Sequence, residues 1–426
     1  MSMQDMAKQA RLAGIRLAAA DSETKNKALQ AVIDGLRANT ARIIEANTHD
    51  MEGAEADGLA KPLLKRLKFD EPKIETVIAG IESLIGLDEP VGKVQSVTEL
   101  DGGLELSRVA CPIGVIGVIF ESRPDALVQI GTLCLKSGNA CLLKGGSEAA
   151  ETNRVLADVL IEAGDKAGLP SGWLGLMETR QEVSQMLGLD EYIDLIIPRG
   201  SNEFVRHIMD NSRIPVMGHA DGICHVYVDE GADIHMAVRI VEDSKCQYPA
   251  VCNAAETVLV HSKIADVFLS KMKDTLEARG VDLRGDDRTV ELIGCKPASE
   301  QDWRTEYLDL VLAVKVVDSL DEAVEHINEY GSGHTDAIVT KEQQSAEKFM
   351  QRVDSADVLV NCSTRFADGY RFGLGAEVGI STSKLHARGP VGLDGLMTYK
   401  YRLIGNGHIV ADYAEGRKKF THRKLQ

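Results

Sequence analysis

The chain has 426 residues, 44% hydrophobic and 27% charged, with a formal net charge of −17. This length exceeds what one simple core can hold and predicts two or more domains of ordinary globular composition. The acidic charge argues against nonspecific binding to nucleic acid or to an anionic membrane, and no apolar run approaches the roughly 18 residues of a membrane span.

The N-terminus and the cysteines indicate a cytoplasmic protein. Residues 1–20 predict an amphipathic charged helix rather than a signal peptide. The eight cysteines are scattered and form no C-x-x-C pair. Their spacing therefore indicates neither a disulfide framework nor a zinc site, and no metal is expected. A reducing, cytosolic compartment fits this cysteine usage.

The first quarter of the chain predicts helices followed by a hairpin. Helical periodicity covers residues 1 to about 88, with apolar residues recurring at helical spacing from Ala28 to Leu36. Residues 92–112 alternate around Asp101-Gly102-Gly103, which predicts a β-hairpin. Because two lone strands are marginal in water, we expect this ribbon to pair with another segment.

Apolar runs separated by helical patterns follow, and they predict parallel sheets covered on both faces, an α/β fold. The tail from 397 to 411 predicts a further strand. The predicted strands before that tail are 113–120, 140–144, 195–198, 224–228, 257–260, 312–317, 337–340 and 358–361.

Two strand-to-helix turns are candidate phosphate sites. Lys144-Gly145-Gly146-Ser147 ends one predicted strand, and Gly200-Ser201 follows another. A glycine turn at a helix N-terminus offers free N–H groups and the positive end of the helix dipole. Neither turn is a G-x-G-x-x-G motif, so a tight structural turn is the alternative. Two such turns in adjacent units favour a nucleotide over coincidence.

Cys252 is the candidate nucleophile. It lies in the loop 247–256, directly before the β-branched run 257–260. The loop leaves the sulfur reachable while the following strand holds its position. The alternative is a small buried hydrophobe, since free cysteine is often buried.

Two arginines are candidate anion ligands. Arg123 and Arg365 each follow an apolar strand, at the sheet edge where open α/β folds bind ligands. A guanidinium there can hold a carboxylate or a phosphate. For Arg123 the alternative is a surface salt bridge.

Four segments resemble the γ-glutamyl phosphate reductase (glutamate-5-semialdehyde dehydrogenase) family, a branch of the aldehyde dehydrogenase superfamily. They occur in the family's order, at 115–125, 133–140, 251–257 and 363–378. The resemblance implies a Rossmann-like NADP-binding domain (1–91 and 113–221), an α/β catalytic domain with Cys252 (222–377) and a small β oligomerisation ribbon (92–112 and 397–411).

The resemblance also implies roles for individual residues. Cys252 would be the nucleophile, Lys144 would contact the adenosine ribose and Glu306 the nicotinamide ribose. The remaining implied residues line the two ligands: Gly145, Gly146, Ser147, Gly200 and Ser201 for the cofactor, and Arg123, Asn253 and Arg365 for the substrate.

Three departures from the superfamily pattern bear on the reaction. The glutamate that activates water in oxidising members is replaced within Val216-Met217-Gly218-His219, where His219 could substitute as a base. Ser147 replaces an acid that would repel a 2′-phosphate, which favours NADPH. Glu121-Ser122-Arg123 replaces the stretch whose Asn binds the oxyanion, so the second oxyanion donor stays open.

The implied activity is the NADPH-dependent reduction of L-glutamyl 5-phosphate through a cysteinyl thioester, the second step of proline biosynthesis. One alternative is an oxidising semialdehyde dehydrogenase, which the missing glutamate disfavours. The other is a non-catalytic dinucleotide-binding subunit, which the retained Cys252 and Glu306 disfavour. A homo-oligomer is expected, and contact with the upstream glutamate 5-kinase stays open.

Overall fold

The computed structural model describes residues 1–121, 123–219 and 221–426. The predicted helical segment forms α1 (Met3–Leu17), α2 (Ser22–Ala38), α3 (Thr40–Ala56), α4 (Lys61–Leu67) and α5 (Glu71–Ile85). Carboxylates of Asp21 and Asp70 accept the N–H groups of Thr24 and Lys73, so each begins its helix with a side-chain cap. The predicted hairpin follows as β1 (Val94–Asp101) and β2 (Leu104–Pro112), paired antiparallel.

The first parallel sheet has the order β5-β4-β3-β6. Its elements in chain order are β3 (Val115–Ile119), α6 (Pro124–Ser137), β4 (Ala140–Lys144), α7 (Ala150–Lys166), β5 (Leu174–Met177), α8 (Arg180–Met186), β6 (Leu195–Pro198) and α9 (Asn202–Asn211). Every residue of β3, β4 and β6 is buried. Burial on both faces explains why these strands read as continuous apolar runs.

The second parallel sheet has the order β10-β9-β11-β8-β7-β12-β13. Its elements are β7 (Cys224–Val228), α10 (Ile234–Cys246), β8 (Ala255–His261), α11 (Ala265–Glu277), β9 (Asp282–Gly285), α12 (Asp287–Ile293), β10 (Lys296–Pro297), β11 (Val311–Val317), α13 (Leu320–Tyr330), β12 (Thr335–Val339), α14 (Gln343–Arg352) and β13 (Asp357–Val360). Helices on both faces complete the predicted α/β arrangement.

The C-terminal part closes a third sheet around the hairpin. The C-terminal part of the chain contains β14 (Ile380–Ser381), β15 (Gly389–Pro390), β16 (Met397–Ile404), α15 (Val410–Ala414) and β17 (Arg423–Lys424). Strands β16 and β17 flank the hairpin in the antiparallel order β16-β2-β1-β17, so the hairpin pairs with the predicted tail. The three larger sheets lie at 115–198, at 224–360, and at 94–112 with 397–404 and 423–424, while β14 and β15 form a separate two-stranded sheet. The exact domain boundaries stay predictions.

The predicted strand over 397–411 is wrong beyond Ile404. Gly407 adopts a left-handed backbone, with φ of +75°, and the chain turns there before entering α15. Gly405-Asn406-Gly407 is typical of a turn, because glycine and asparagine readily adopt a left-handed backbone and are unfavourable in an extended strand. None of the helices that the described residues form combines the length and apolar character that a bilayer span requires.

Candidate active site

Cys252 lies in the turn between α10 and β8, and neighbouring backbone holds that turn in place. A Cβ atom added to Gly222 would lie 2.2 Å from the Cys252 carbonyl oxygen, so only glycine allows this approach. From β7, the Cys224 thiol donates to the same carbonyl at 3.1 Å. The position of the Cys252 turn is therefore set by the starts of the neighbouring parallel strands β7 and β8.

Two histidines lie beside the Cys252 thiol. The ligand atoms of His219, Cys252 and His334 are all within 4.8 Å of one another, and the two rings meet edge to face. Nδ1 of His219 lies 2.8 Å from the Ile380 carbonyl oxygen, which places the proton on Nδ1 and a lone pair on Nε2. Burial lowers the pKa of both imidazoles, so both are neutral at pH 7.

The free thiol is protonated at neutral pH. Burial, helped by the Glu306 and Glu377 carboxylates, raises the pKa of Cys252 to about 12, and Arg199 acts in the opposite direction. Burial also raises the pKa of Glu377 to about 7, although its carboxylate accepts the Gly369 N–H at 2.9 Å. A reactive thiolate therefore needs a proton acceptor, and the neutral imidazoles are the adjacent ones.

Arg199 is a cation that the sequence analysis did not assign. It follows β6, its Nε lies 3.9 Å from the position that a Cβ atom on Gly379 would take, and burial lowers its pKa. Arg123, Glu377, Asp125 and Cys252 are the charges that act on it. Asp125 already pairs with Arg123 at 2.9 Å, and Glu377 carries only part of its charge at pH 7. The Arg199 charge is thus available to an anionic ligand near the thiol.

The three predicted substrate residues differ in their settings. Arg365 is buried, donates from Nε to Gln247 Oε1 at 3.0 Å and lies within electrostatic reach of Cys252. Arg123 is half-exposed and makes the ion pair with Asp125 that was its alternative. Asn253 donates to the Ala367 carbonyl at 2.8 Å, which ties the Cys252 turn to the segment after Arg365. Their contacts with substrate stay predictions.

The turn after β4 is crowded by its own side chains. Nζ of Lys144 donates to the Gly145 carbonyl, and burial lowers the pKa of Lys144. A Cβ atom on Gly146 would meet the Glu148 carboxylate at 2.2 Å. An acid therefore lies over this turn one residue beyond the exposed Ser147, which reduces the weight of Ser147 as an argument for NADPH.

The turn after β6 already holds an anion at the start of α9. The Ser201 N–H donates to Glu121 Oε1 at 3.2 Å, and the Ser201 hydroxyl caps the helix at Phe204. The Asn202 amide donates to Glu306 Oε2 at 2.9 Å. Gly200, Ser201 and Glu306 thus lie together, and the Glu306 carboxylate is close enough to shift the Cys252 pKa.

A buried ion pair contacts the backbone two residues after Glu306. Lys245 Nζ lies 2.6 Å from Glu256 Oε2, and both side chains are fully buried. The other oxygen of Glu256 accepts the Leu308 N–H at 3.3 Å. The second oxyanion donor sought at Glu121-Ser122-Arg123 is not located, because Ser122 lies outside the described residues.

Sequence reasoning missed four functional candidates: Arg199, His334, Glu377 and the Lys245–Glu256 pair. Arg199 lies inside the predicted second turn, and Glu377 lies inside a segment that carries the family resemblance. These two had a local signal. Glu256 likewise lies inside a resemblance segment, 251–257. His334 and Lys245 had no such signal, because isolated polar residues near buried strands have no characteristic spacing.

Fold and site together define an aldehyde dehydrogenase-type protein. The aldehyde dehydrogenase family model matches residues 3–292 and 292–384. The γ-glutamyl phosphate reductase of Acetivibrio thermocellus is 63% identical over 425 residues, covering 100% of this chain and 99% of the relative. That of Pelotomaculum thermopropionicum is 64% identical, covering 100% and 98%.

A solved structure agrees with these relatives. The crystal structure of γ-glutamyl phosphate reductase from Thermotoga maritima superposes with a TM-score of 0.94 at 42% identity, covering 96% of this chain and 100% of that one. The chain belongs to the γ-glutamyl phosphate reductase family. The resemblance and the fold class expected from the sequence are confirmed.

Proposed function

We propose that this protein catalyses the NADPH-dependent reduction of L-glutamyl 5-phosphate to L-glutamate 5-semialdehyde and phosphate, the second step of proline biosynthesis. The observation that carries the proposal is the setting of Cys252. The thiol lies beside two neutral imidazoles and within reach of two desolvated arginines, Arg199 and Arg365. This is a nucleophile placed for an anionic acyl donor.

The two turns would hold the dinucleotide. The residues are Lys144, Gly145, Gly146 and Ser147 on the first turn, and Gly200 and Ser201 on the second turn with the neighbouring Glu306. The Glu121 carboxylate that accepts the Ser201 N–H supports this fit, because it occupies the place of a phosphate at a helix start. When bound, the cofactor supplies the hydride that reduces the cysteinyl thioester. NADPH is proposed over NADH on the strength of Ser147, against the opposing charge of Glu148.

Acylation begins with removal of the Cys252 proton by the adjacent imidazoles. The sulfur attacks the acyl carbonyl, a C–S bond forms, and the C–O bond to the phosphate breaks. Arg199 and Arg365 stabilise the departing dianion through charge-assisted hydrogen bonds. The result is a thioester on Cys252 and free inorganic phosphate.

Aldehyde release reverses the proton movement. After reduction, the carbon bonded to Cys252 carries an alkoxide, which re-forms the carbonyl as the C–S bond breaks. The sulfur leaves as a thiolate and regains its proton from the imidazolium formed during acylation. The histidine pair thus returns to neutrality in each cycle, which its lowered pKa favours.

A reverse assay tests the proposal. Without a carboxylate in Val216–His219 to activate water, the thioester should resist hydrolysis and yield only to phosphate. NADPH formation from the semialdehyde and NADP⁺ should therefore require inorganic phosphate or arsenate. Without either anion, only a burst stoichiometric with enzyme is expected. Steady phosphate-independent turnover would instead favour an oxidising semialdehyde dehydrogenase, and His219→Ala shows whether His219 activates water.

The third sheet supports the proposed homo-oligomer. Strand β16 leaves Tyr401, Leu403 and Ile404 exposed, at 61%, 56% and 68% of their surface. Neighbouring apolar side chains on one strand are typical of a protein interface. Light scattering on the wild type and on Leu403→Asp measures the assembly, and an unchanged mass in the variant would contradict a role for this strand.

A further inference from the structure

The side chains around Cys252 also form a soft-metal ligand set. We propose that Cys252, His219 and His334 together bind a thiophilic divalent cation such as Zn²⁺, and that the bound cation blocks the nucleophile. Metal binding concerns only the free protein and is independent of the reaction proposed above, whereas inhibition by the cation rests on the proposed role of Cys252 as the nucleophile. One thiolate and two imidazoles are ligands that Zn²⁺ prefers.

The geometry needs only a small adjustment. The three ligand atoms lie within 4.8 Å of one another. Zinc bonds of about 2.3 Å to sulfur and about 2.0 Å to nitrogen place tetrahedral ligands about 3.5 Å apart. Closing the set therefore requires movements of about 1 Å, which small torsional adjustments of the three side chains can supply while the His219–Ile380 contact is kept. The fourth position stays open to water.

The surroundings of both histidines already resemble a metal site's outer shell. The Ile380 carbonyl lies 2.8 Å from Nδ1 of His219 and fixes the ring with Nε2 free to act as a ligand. Nδ1 of His334 lies 2.8 Å from the Thr335 hydroxyl. Its Nε2 is fully buried and has no hydrogen-bond partner within the described part of the chain. A buried nitrogen without a partner is costly, and a metal bond would satisfy it.

Binding would exchange one proton for the metal. The Cys252 S–H bond breaks, the proton passes to solvent, and the thiolate donates its electron pair to the cation. No oxidation occurs, so a chelator should restore the free thiol. The sulfur lone pair committed to the metal is the one that would attack the acyl carbonyl, which makes the cation a reversible inhibitor.

Site-resolved alkylation tests the proposal without any mutation. Chelator-treated protein is incubated with Zn²⁺, with Mg²⁺ or with neither, labelled with iodoacetamide at about pH 8.5, and analysed cysteine by cysteine by mass spectrometry. One equivalent of Zn²⁺ should slow labelling of Cys252 at least tenfold, and EDTA should reverse this. Labelling of Cys246 is the internal control, and Mg²⁺, which prefers oxygen ligands, should protect neither cysteine.

Histidine variants then test the ligand set. His219→Gln and His334→Gln should each weaken Zn²⁺ binding at least tenfold, measured by competition with a chromophoric chelator, whereas His207→Gln on the exposed face of α9 should not. Unchanged affinity in the double variant would overturn the proposal, as would Zn²⁺ binding that leaves Cys252 labelling unaltered. Should the histidine variants fail to fold, the wild-type labelling comparison still decides.

Discussion

Two regions of the molecule handle negative charge in opposite ways. The two-turn region, formed by residues 144–148 and 198–202, is covered by the protein's own carboxylates. Glu121 accepts the Ser201 N–H and Glu148 lies over Gly146. The thiol region is formed by Cys252 with His219, His334, Arg365 and Arg199, the last being counted here and not with the turn 198–202. It instead places desolvated cations and neutral imidazoles around one sulfur.

Because of this difference, we expect an anionic ligand to gain different amounts of binding free energy in the two regions. In the two-turn region an incoming phosphate would replace a carboxylate, so one anion exchanges for another and the net gain is modest. In the thiol region the arginines have already lost part of their hydration, so a substrate anion gains strongly from them. Substitutions in the thiol region should therefore have larger effects than those in the two-turn region.

The largest effect is expected at the nucleophile. Cys252→Ser should lower single-turnover hydride transfer by ~10³-fold or more, because a hydroxyl ionises far less readily than a thiol. Folding and NADPH binding should be retained, as measured by circular dichroism and by cofactor titration. Cys246→Ser on α10 is the matched control and should be nearly silent. Retention of a tenth of the wild-type rate would remove Cys252 from this role.

Arg199 tests whether the thiol region holds the phosphate. Arg199→Gln should reduce kcat/KM for the acyl phosphate on the order of 10²-fold, the cost of removing one partner of a desolvated charge pair. In the reverse reaction the same change should raise the KM for inorganic phosphate and leave the KM for NADP⁺ nearly unchanged.

The matched control for Arg199 is Arg213→Gln, at an exposed arginine after α9. Arg365→Gln run in parallel distinguishes the two cations, since an arginine that binds the substrate carboxylate would leave the phosphate KM unaltered. A normal phosphate KM in Arg199→Gln would show that Arg199 does not contact the leaving group.

The two-turn region should show smaller, opposing shifts in cofactor preference. Ser147→Glu should reduce the NADPH:NADH ratio of kcat/KM, and Glu148→Gln should raise it, each by on the order of 1–2 kcal/mol. The reason is charge repulsion with the 2′-phosphate at a partly exposed site. Equal efficiencies with both cofactors in the wild type would contradict the NADPH assignment, and Glu151→Gln, one turn along, is the control for general charge.

The smallest effect concerns the thiol's proton. Because the pKa of Cys252 is raised to about 12, alkylation of Cys252 should accelerate steadily from pH 7 to 10 without a plateau. Glu377→Gln removes a carboxylate that raises this pKa, so labelling at pH 8.5 should become a few-fold faster. Asp210→Asn on exposed α9 should change nothing. A plateau below pH 9 would mean that the free thiol is far more acidic than its burial implies.

Much of the fold was predictable because a strand buried on both faces is a continuous apolar run in the sequence. The strands 140–144, 195–198 and 224–228 were predicted with their exact bounds, and the other predicted strands of the two parallel sheets to within a few residues, since strands buried on both faces must be continuously apolar. Strands β5, β9, β10, β14, β15 and β17 were missed. They are two to four residues long and lie at or next to a sheet edge, where pairing with a neighbour rather than an apolar run defines the strand.

The sequence by itself determined the parallel α/β architecture, the two glycine turns and the candidate nucleophile, because each depends on neighbouring residues along the chain. Only the tertiary structure decided the thiol region. His219, Cys252 and His334 come from three separate segments. They meet because each lies just before the start of β7, β8 or β12, neighbouring parallel strands whose amino ends share one edge of the sheet. Their charge states were also beyond the sequence, since burial sets the pKa of the thiol and of both imidazoles.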